Sequence, residues 1–203
     1  LAISALLDTI VEVLPSPQDR PDIKGTNPKT NAEETRKPSE NEPFSSLVFK
    51  TIVDPYIGKL NVFRVYSGAL SSDSHAHNAN KDKTERIGQL LSLQGKKQEP
   101  IARASAGDIT AVAKLQDTGT GDTLCQADKP IVLPRLEFPG PIISTAIRPK
   151  SKGDEDKLST ALSKLLEEDS TFAVRRDAEL RQTIISGMGD THLELVVDRL
   201  KRK

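Results

Sequence analysis

The sequence predicts two structural units in series, an antiparallel β-barrel followed by an incomplete α+β ferredoxin-like domain, and three observations carry that prediction. Between Phe44 and Leu136, short segments rich in β-branched and aromatic residues are separated by turn pairs such as Asp-Pro, Ser-Gly and Gly-Asp, with no sustained helical period. After Pro139-Gly140-Pro141 the order becomes strand, helix, strand, strand, helix, a split βαβ unit without its last strand. Ahead of both, residues 1–43 hold one amphipathic helix and then a polar stretch with almost no large apolar residue.

Composition bounds the function classes. The chain has 203 residues, of which 35% are apolar, so it supports modest cores in two small units. Twenty-nine basic residues balance 29 acidic ones, so no global field recruits nucleic acid or membrane, and any such contact is local. A single cysteine, Cys125, excludes an internal disulfide and a cysteine zinc site and fits a reducing, cytoplasmic setting. No apolar run approaches the roughly 20 residues that span a bilayer, and no membrane partner is expected.

The elements follow in order. "LAISALLDTIVEVL" places Ile3, Leu6, Leu7, Ile10 and Leu14 on one helical face, and Pro15 ends the helix. An apolar face at that place implies a packing partner ahead of residue 1. From Pro15 to Pro43 the chain reads as a tether, mobile over about residues 26–42. "SSLVFKTIVDP", "KLNVFRVYSGAL", "DSHAHNAN", "TERIGQLLSLQG", "QEPIARASAGDITAVAKL" and "KPIVLPRL" supply the barrel over residues 43–134, with Gly107-Asp108 and Gly121-Asp122 as turns. In the second unit, residues 135–203, "IISTAIRP" alternates as a strand and "DEDKLSTALSKLLEED" puts Leu158, Ala161, Leu162, Leu165 and Leu166 on one face. "TFAVRRDAELRQTIISG" is two strands joined by a charged turn. The closing helix lines up Leu193, Val196, Val197 and Leu200, with Thr191 and Glu194 as a capping box. The acids at 154–156 suit a helix N-terminus, whereas Glu167, Glu168 and Asp169 sit at the end the helix dipole disfavours.

No catalytic constellation emerges. Neither "IGKL" at 57–60 nor "QGKK" at 94–97 supplies the glycine-rich loop between strand and helix that cradles a phosphate. His75 and His77 share a strand face but lack a third ligand at metal spacing. His192 has no nucleophile near it in sequence and reads as a structural or contact residue. Five Phe and two Tyr, with no Trp, are too few for a base-stacking platform. Phosphate contacts remain open to Lys81, Lys83, Arg86, Lys96, Lys97 and Arg103, and to Arg175 and Arg176.

The stretches "FKTIVDPYIGKLNVFRVYSGAL", "ERIGQLLSLQGKKQEPIARASAGDITAVAKLQDTGTGDTLC", "PKSKGDEDKLSTALSKLLEEDSTFAVRRD" and "QTIISGMGDTHLELVVDRLKRK" closely resemble the second and third domains of bacterial elongation factor G. "LLDTIVEVLPSPQDRPDIKG" resembles the last helix of that family's GTPase domain and its exit linker. R-V-Y-S-G, G-D-T-L and S-G-M-G-x-x-H-L-E, in this order, carry the likeness. It implies a translation-factor barrel of the domain II type over 43–134, a domain III lacking its last strand over 135–203, and a missing GTPase domain before residue 1, with 1–25 as its end. The implied function is that of the central part of a ribosomal translocase. It docks on ribosomal RNA and small-subunit proteins and couples GTP hydrolysis elsewhere in the chain to tRNA and mRNA movement.

GTP and magnesium then belong to the parent protein, and this stretch holds no cofactor, no metal and no catalytic residue. By the same resemblance, contact residues are Arg64, Ser67, Gly68, Lys96 and Lys97 in the barrel and Gly187, Met188, Gly189, His192 and Glu194 in the closing motif. Gly187 and Gly189 are expected to allow a tight strand-to-helix turn, and Met188 to pack on an adjoining domain. Asp190 and Thr191 replace the family's usual Glu-Leu, Leu180, Arg181 and Gln182 replace its Thr-Gly-Gln, and "LQGKKQEP" replaces a basic run, which suits a paralogue. Two alternatives share the architecture: a ribosomal protection protein of the tetracycline-resistance type, and a stand-alone RNA-binding barrel.

Overall fold

Periodicity near 3.6 makes the opening helix α1, Ala2–Val13, whose last turn closes with the Leu14 amide on the Ile10 carbonyl. The computed structural model describes residues 2–54, 57–95, 97–149, 151–177, 179 and 182–202. The apolar face of α1 is bare, with Ile3 72% and Leu6 59% exposed.

The stretch read as a mobile tether folds instead into a two-stranded ribbon, β1 (Ile23–Thr26) and β2 (Glu33–Arg36), after a 3-10 turn at Pro17–Asp19. Its turn is local chemistry: the Asn27 side-chain oxygen accepts the Lys29 amide at 2.9 Å, and Asn31 takes a left-handed φ of 56°. Its order comes from afar. Thr26 bridges to Val132, Arg36 is buried against Glu34 at 2.8 Å, and Ile23 packs beside Ile131 and Leu133. Gly25 lies so close that a Cβ there would sit 2.6 Å from the Ile131 side chain. Composition alone could not show this, because the apolar surface that orders the ribbon belongs to residues 131–133.

The barrel region forms an eight-stranded antiparallel sheet of the domain II type with a separate strand pair. Its strands are β3 (Ser45–Asp54), β4 (Gly58–Ser67), β5 (Ala69–Ser71), β6 (Ser74–Asn78), β7 (Lys83–Ile87), β8 (Leu90–Gln94), β9 (Lys97–Ile101), β10 (Arg103–Ser105), β11 (Ile109–Ala113) and β12 (Thr123–Cys125). The sheet order is β7-β6-β12-β3-β4-β11-β8-β9, and β5 pairs with β10. Alternation drives Val48, Phe63, Val65, Ile87, Leu90, Val112 and Leu124 into one core. Each such side chain contributes about 1.5–3 kcal/mol by leaving water.

A polar knot holds the loop after β11. The Glu85 carboxylate, 4% exposed, accepts the amides of Gln116, Asp117 and Thr118 and the Thr118 hydroxyl at 2.8–3.1 Å. Burial pushes this carboxyl up, but the Thr118 hydroxyl and the three amides outweigh it and hold the pKa below the ordinary glutamate value. Asn78 ties the same loop to Asp122, which also meets Lys81 at 2.9 Å. The expected Gly-Asp turns are present, with φ of 100° at Gly107 and 89° at Gly121.

The second unit holds β13 (Ile143–Ile147), α2 (Glu155–Glu168), β14 (Ala173–Asp177), β15 (Gln182–Gly187) and α3 (Asp190–Arg202). The strand order is β13-β15-β14, all antiparallel, and Leu162, Leu165, Phe172, Ile185, Leu193 and Val196 form its core. Leu166, assigned to the apolar face of α2, is 41% exposed. The helix α3 begins at Asp190, so Thr191 falls inside the first turn and the expected capping box does not form. The Gly189 carbonyl takes the first helical bond, from Leu193 at 3.1 Å.

Candidate functional site

The tight passage from β15 into α3 is clasped by one imidazole. The Met188 amide donates to His192 Nδ1 at 3.1 Å, so Nδ1 is the acceptor and Nε2 carries the proton that it donates to Asp169 Oδ2 at 2.9 Å. Asp169 Oδ1 in turn accepts the Thr171 hydroxyl at 2.6 Å and the Thr171 amide at 2.8 Å. Burial raises the Asp169 carboxyl, yet Thr171 and His192 together hold it below the ordinary aspartate value. The edge of His192 also meets the Phe172 ring, with centroids 6.4 Å apart at 63°. Both ring nitrogens are thus occupied, one by an amide and one by a carboxylate. The group orients a loop and a helix start; it has no lone pair to offer as a base.

The glycines of this turn differ. A Cβ on Gly187 would stand 2.9 Å from both His192 Nδ1 and Leu193 Cδ2, so only glycine lets α3 approach β15 this closely. Gly189 has nothing within 4 Å of a built Cβ and no left-handed φ, so it is not required by the turn geometry, contrary to expectation. Met188 is half-buried and Glu194 is exposed. Glu194 lines a groove of about 520 Å³ between α3 and the outer edge of β13, floored by Ile143, Thr145 and Leu193.

The barrel candidates separate in the same way. Ser67 is buried and donates its hydroxyl to the Pro43 carbonyl while accepting from Ser45, both at 2.7 Å. Gly68, at a φ of 67°, would place a Cβ 2.6 Å from the Phe44 backbone. Both are buried and shape the chain's entry into β3. Arg64 is half-buried, with its guanidinium 5.6 Å from the centre of the Tyr66 ring, and it opens onto a groove of about 400 Å³ shared with Arg20 and Lys24. Lys97 is exposed at the start of β9 and pairs with Glu99. Lys96, Leu180 and Arg181 lie outside the described residues. The structure therefore does not gather the proposed contacts into one site: Arg64 and Lys97 belong to the sheet, and the Gly-Met-Gly turn belongs to the second unit.

Sequence reasoning passed over the residues that do the joining. Glu168 Oε1 accepts the Val53 amide of β3 at 2.9 Å, and its other oxygen lies 3.8 Å from Arg199 of α3. Asp169 anchors His192. The signal was present as acids gathered at a helix C-terminus, a position the dipole disfavours unless outside donors compensate.

The two glycines read against the phosphate-loop pattern lie in strand and hairpin geometry. Gly58 opens β4, paired with Asp54, and Gly95 lies in the turn into β9, so each is followed by a strand and not by a helix N-terminus that could meet a phosphate. Among the described residues no three His, Cys, Asp or Glu side chains group as a metal site; His77 is turned to Asp82 at 3.4 Å. Among them too, no helix is long and apolar enough to cross a membrane.

Comparison with known proteins adds two tandem matches. Residues 43–127 match the family model of elongation factor G domain 2, and residues 138–203 match that of elongation factor G domain III. A crystal structure of a protein from Thermus thermophilus is similar over 98% of this chain, at 29% identity and a TM-score of 0.76. The match covers 28% of that protein, so this chain spans less than a third of its solved relative's length.

Proposed function

Since this chain belongs to the elongation factor G family and spans that family's second and third domains, we propose that it is the ribosome-docking and coupling middle of a longer translational GTPase. The tandem order of the two matches within 28% of a longer relative carries the reading. The parent binds and hydrolyses GTP outside these residues, and the sheet rests on ribosomal RNA through Arg64 and Lys97. The second domain passes the nucleotide-dependent change onward as a rigid body toward the parts that move tRNA and mRNA. Rigidity at the Gly187-Met188-Gly189 turn supports this role, because the His192 clasp fixes α3 to both β15 and the end of α2. The setting is cytoplasmic.

The test is cosedimentation of the intact reading frame with ribosomes at several salt concentrations. Arg64→Ala and Lys97→Ala are expected to weaken binding and flatten its salt dependence, each by roughly one counterion's share. The 203-residue chain alone is expected neither to bind GTP in calorimetry nor to hold bare RNA tightly, its net charge being zero. Submicromolar, salt-sensitive RNA binding by this chain would favour a stand-alone RNA-binding barrel instead.

A further inference from the structure

The outer edge of β3 is only partly covered. Its neighbour β12 pairs with Ser45–Leu47 alone, and beyond that the loop at Thr120-Gly121-Asp122 bonds the backbone of Val48 and the Thr51 hydroxyl, short of Val53. The amide of Val53 therefore points out of the sheet, away from β4, as a donor the ladder leaves over. A carboxylate from the other domain meets it. Glu168 stands at the last position of α2, with its side chain 18% exposed, and binds that amide at 2.9 Å. Its second oxygen faces Arg199, whose 3.8 Å separation leaves the ion pair about 1 Å short of the closure such pairs reach. One carboxylate thus spans two partners, one oxygen to each, with Val53 on the far side of the interdomain joint and Arg199 on its own side.

We propose that Glu168 is a releasable latch between the sheet and the α+β domain: engaged with the Val53 amide it fixes their relative orientation, and on release it closes onto Arg199. Arg199 is carried on the same α+β domain, so the carboxylate stays paired while the joint opens. That lowers the cost of release, since the half-buried carboxylate keeps a cationic partner when the amide leaves. The β3 amide, once free, reaches water at the sheet edge. The latch deepens the coupling role above and rests on it only for its use in the parent protein; the joint itself is measurable on this chain whatever ribosome binding shows.

The test uses the 203-residue chain labelled at Thr84→Cys on β7 and Ser163→Cys on α2, both exposed, with Cys125 buried and silent. Pulsed electron spin resonance then reads the distance between the labels, and hydrogen exchange reads the Val53 amide. The parent chain is expected to give one narrow distance and a protected amide. Glu168→Ala is expected to raise the share of molecules away from that distance about tenfold, equivalent to ~1.4 kcal/mol, and to expose the amide. Glu168→Gln keeps an oxygen for the amide and the fold's shape, so it is expected to hold the narrow distance, as is Arg199→Ala, which removes only the partner taken up on release. An unchanged distance in Glu168→Ala overturns the latch. So does opening of the joint by Glu168→Gln or Arg199→Ala as fully as by Glu168→Ala, or a broad distribution already present in the parent chain.

Discussion

The sheet domain and the α+β domain use their carboxylates in opposite ways. In the sheet, Glu85 is consumed entirely by its own domain: three loop amides and one hydroxyl saturate it, and among the described residues it faces no arginine or lysine at bonding distance. In the α+β domain the acids at the end of α2 reach outward, Glu168 to β3 and Arg199, Asp169 to His192. The first arrangement closes a loop and makes a rigid platform. The second joins separate elements, and so places stability and motion in the hands of the same few bonds. A coupling protein needs both, a surface that does not deform and a joint that can.

Glu85→Ala is the sharpest way to break the comparison. It strands three amides and a hydroxyl in a dry site, and a loss of about 3 kcal/mol or more is expected from the sheet domain. Thermal unfolding followed on the sheet domain's signals should fall steeply while the α+β domain's signals hold. If both domains lost stability equally, the carboxylate would not be a local device.

A smaller effect distinguishes the two glycines of the closing turn. Gly187→Ala must displace His192 or Leu193 and is expected to cost about 1–3 kcal/mol, whereas Gly189→Ala should stay within about 0.5 kcal/mol. Denaturant titration of the pair decides this, and equal costs would show that backbone freedom, rather than the close approach of α3, makes the motif.

Acid sharpens the comparison least but touches both regions. Glu85 and Asp169 each titrate lower in the fold than in the open chain, so their contributions are complete above the open-chain values near about 4. They are lost as pH falls below that through the folded values. Melting at successive pH values should show a plateau above that range and a decline below it, and the decline is expected to be shallower in Glu85→Gln and Asp169→Asn. An acid limb unchanged by both substitutions would assign the decline to other groups.

Much of the architecture was legible because it follows from short-range periodicity. Alternating Val, Leu and Phe placed β3, β4 and β11, and the 3.6-residue period of Leu158, Leu162 and Leu165 placed α2. The ribbon at Ile23–Arg36 was illegible, because its order depends on Ile131 and Leu133 about a hundred residues away. Of the site, Gly187 and His192 were singled out by residue type, but the bonds they make in the fold were not readable. His192 needs Asp169, 23 positions earlier, to have a role at all.

The sequence by itself determined the order of elements, the apolar faces that build the cores, and the family likeness. Each of these is a property of neighbouring residues and their spacing. Only the tertiary structure decided that Ser67 and Gly68 are buried supports, that the polar stretch before the sheet folds, and that Glu168 and Asp169 are the groups that join domains and turns. The physical reason is common to all three. Hydrogen bonds and close approaches take their meaning from partners brought near by the fold, and no local pattern records which partner an acid at a helix end will find.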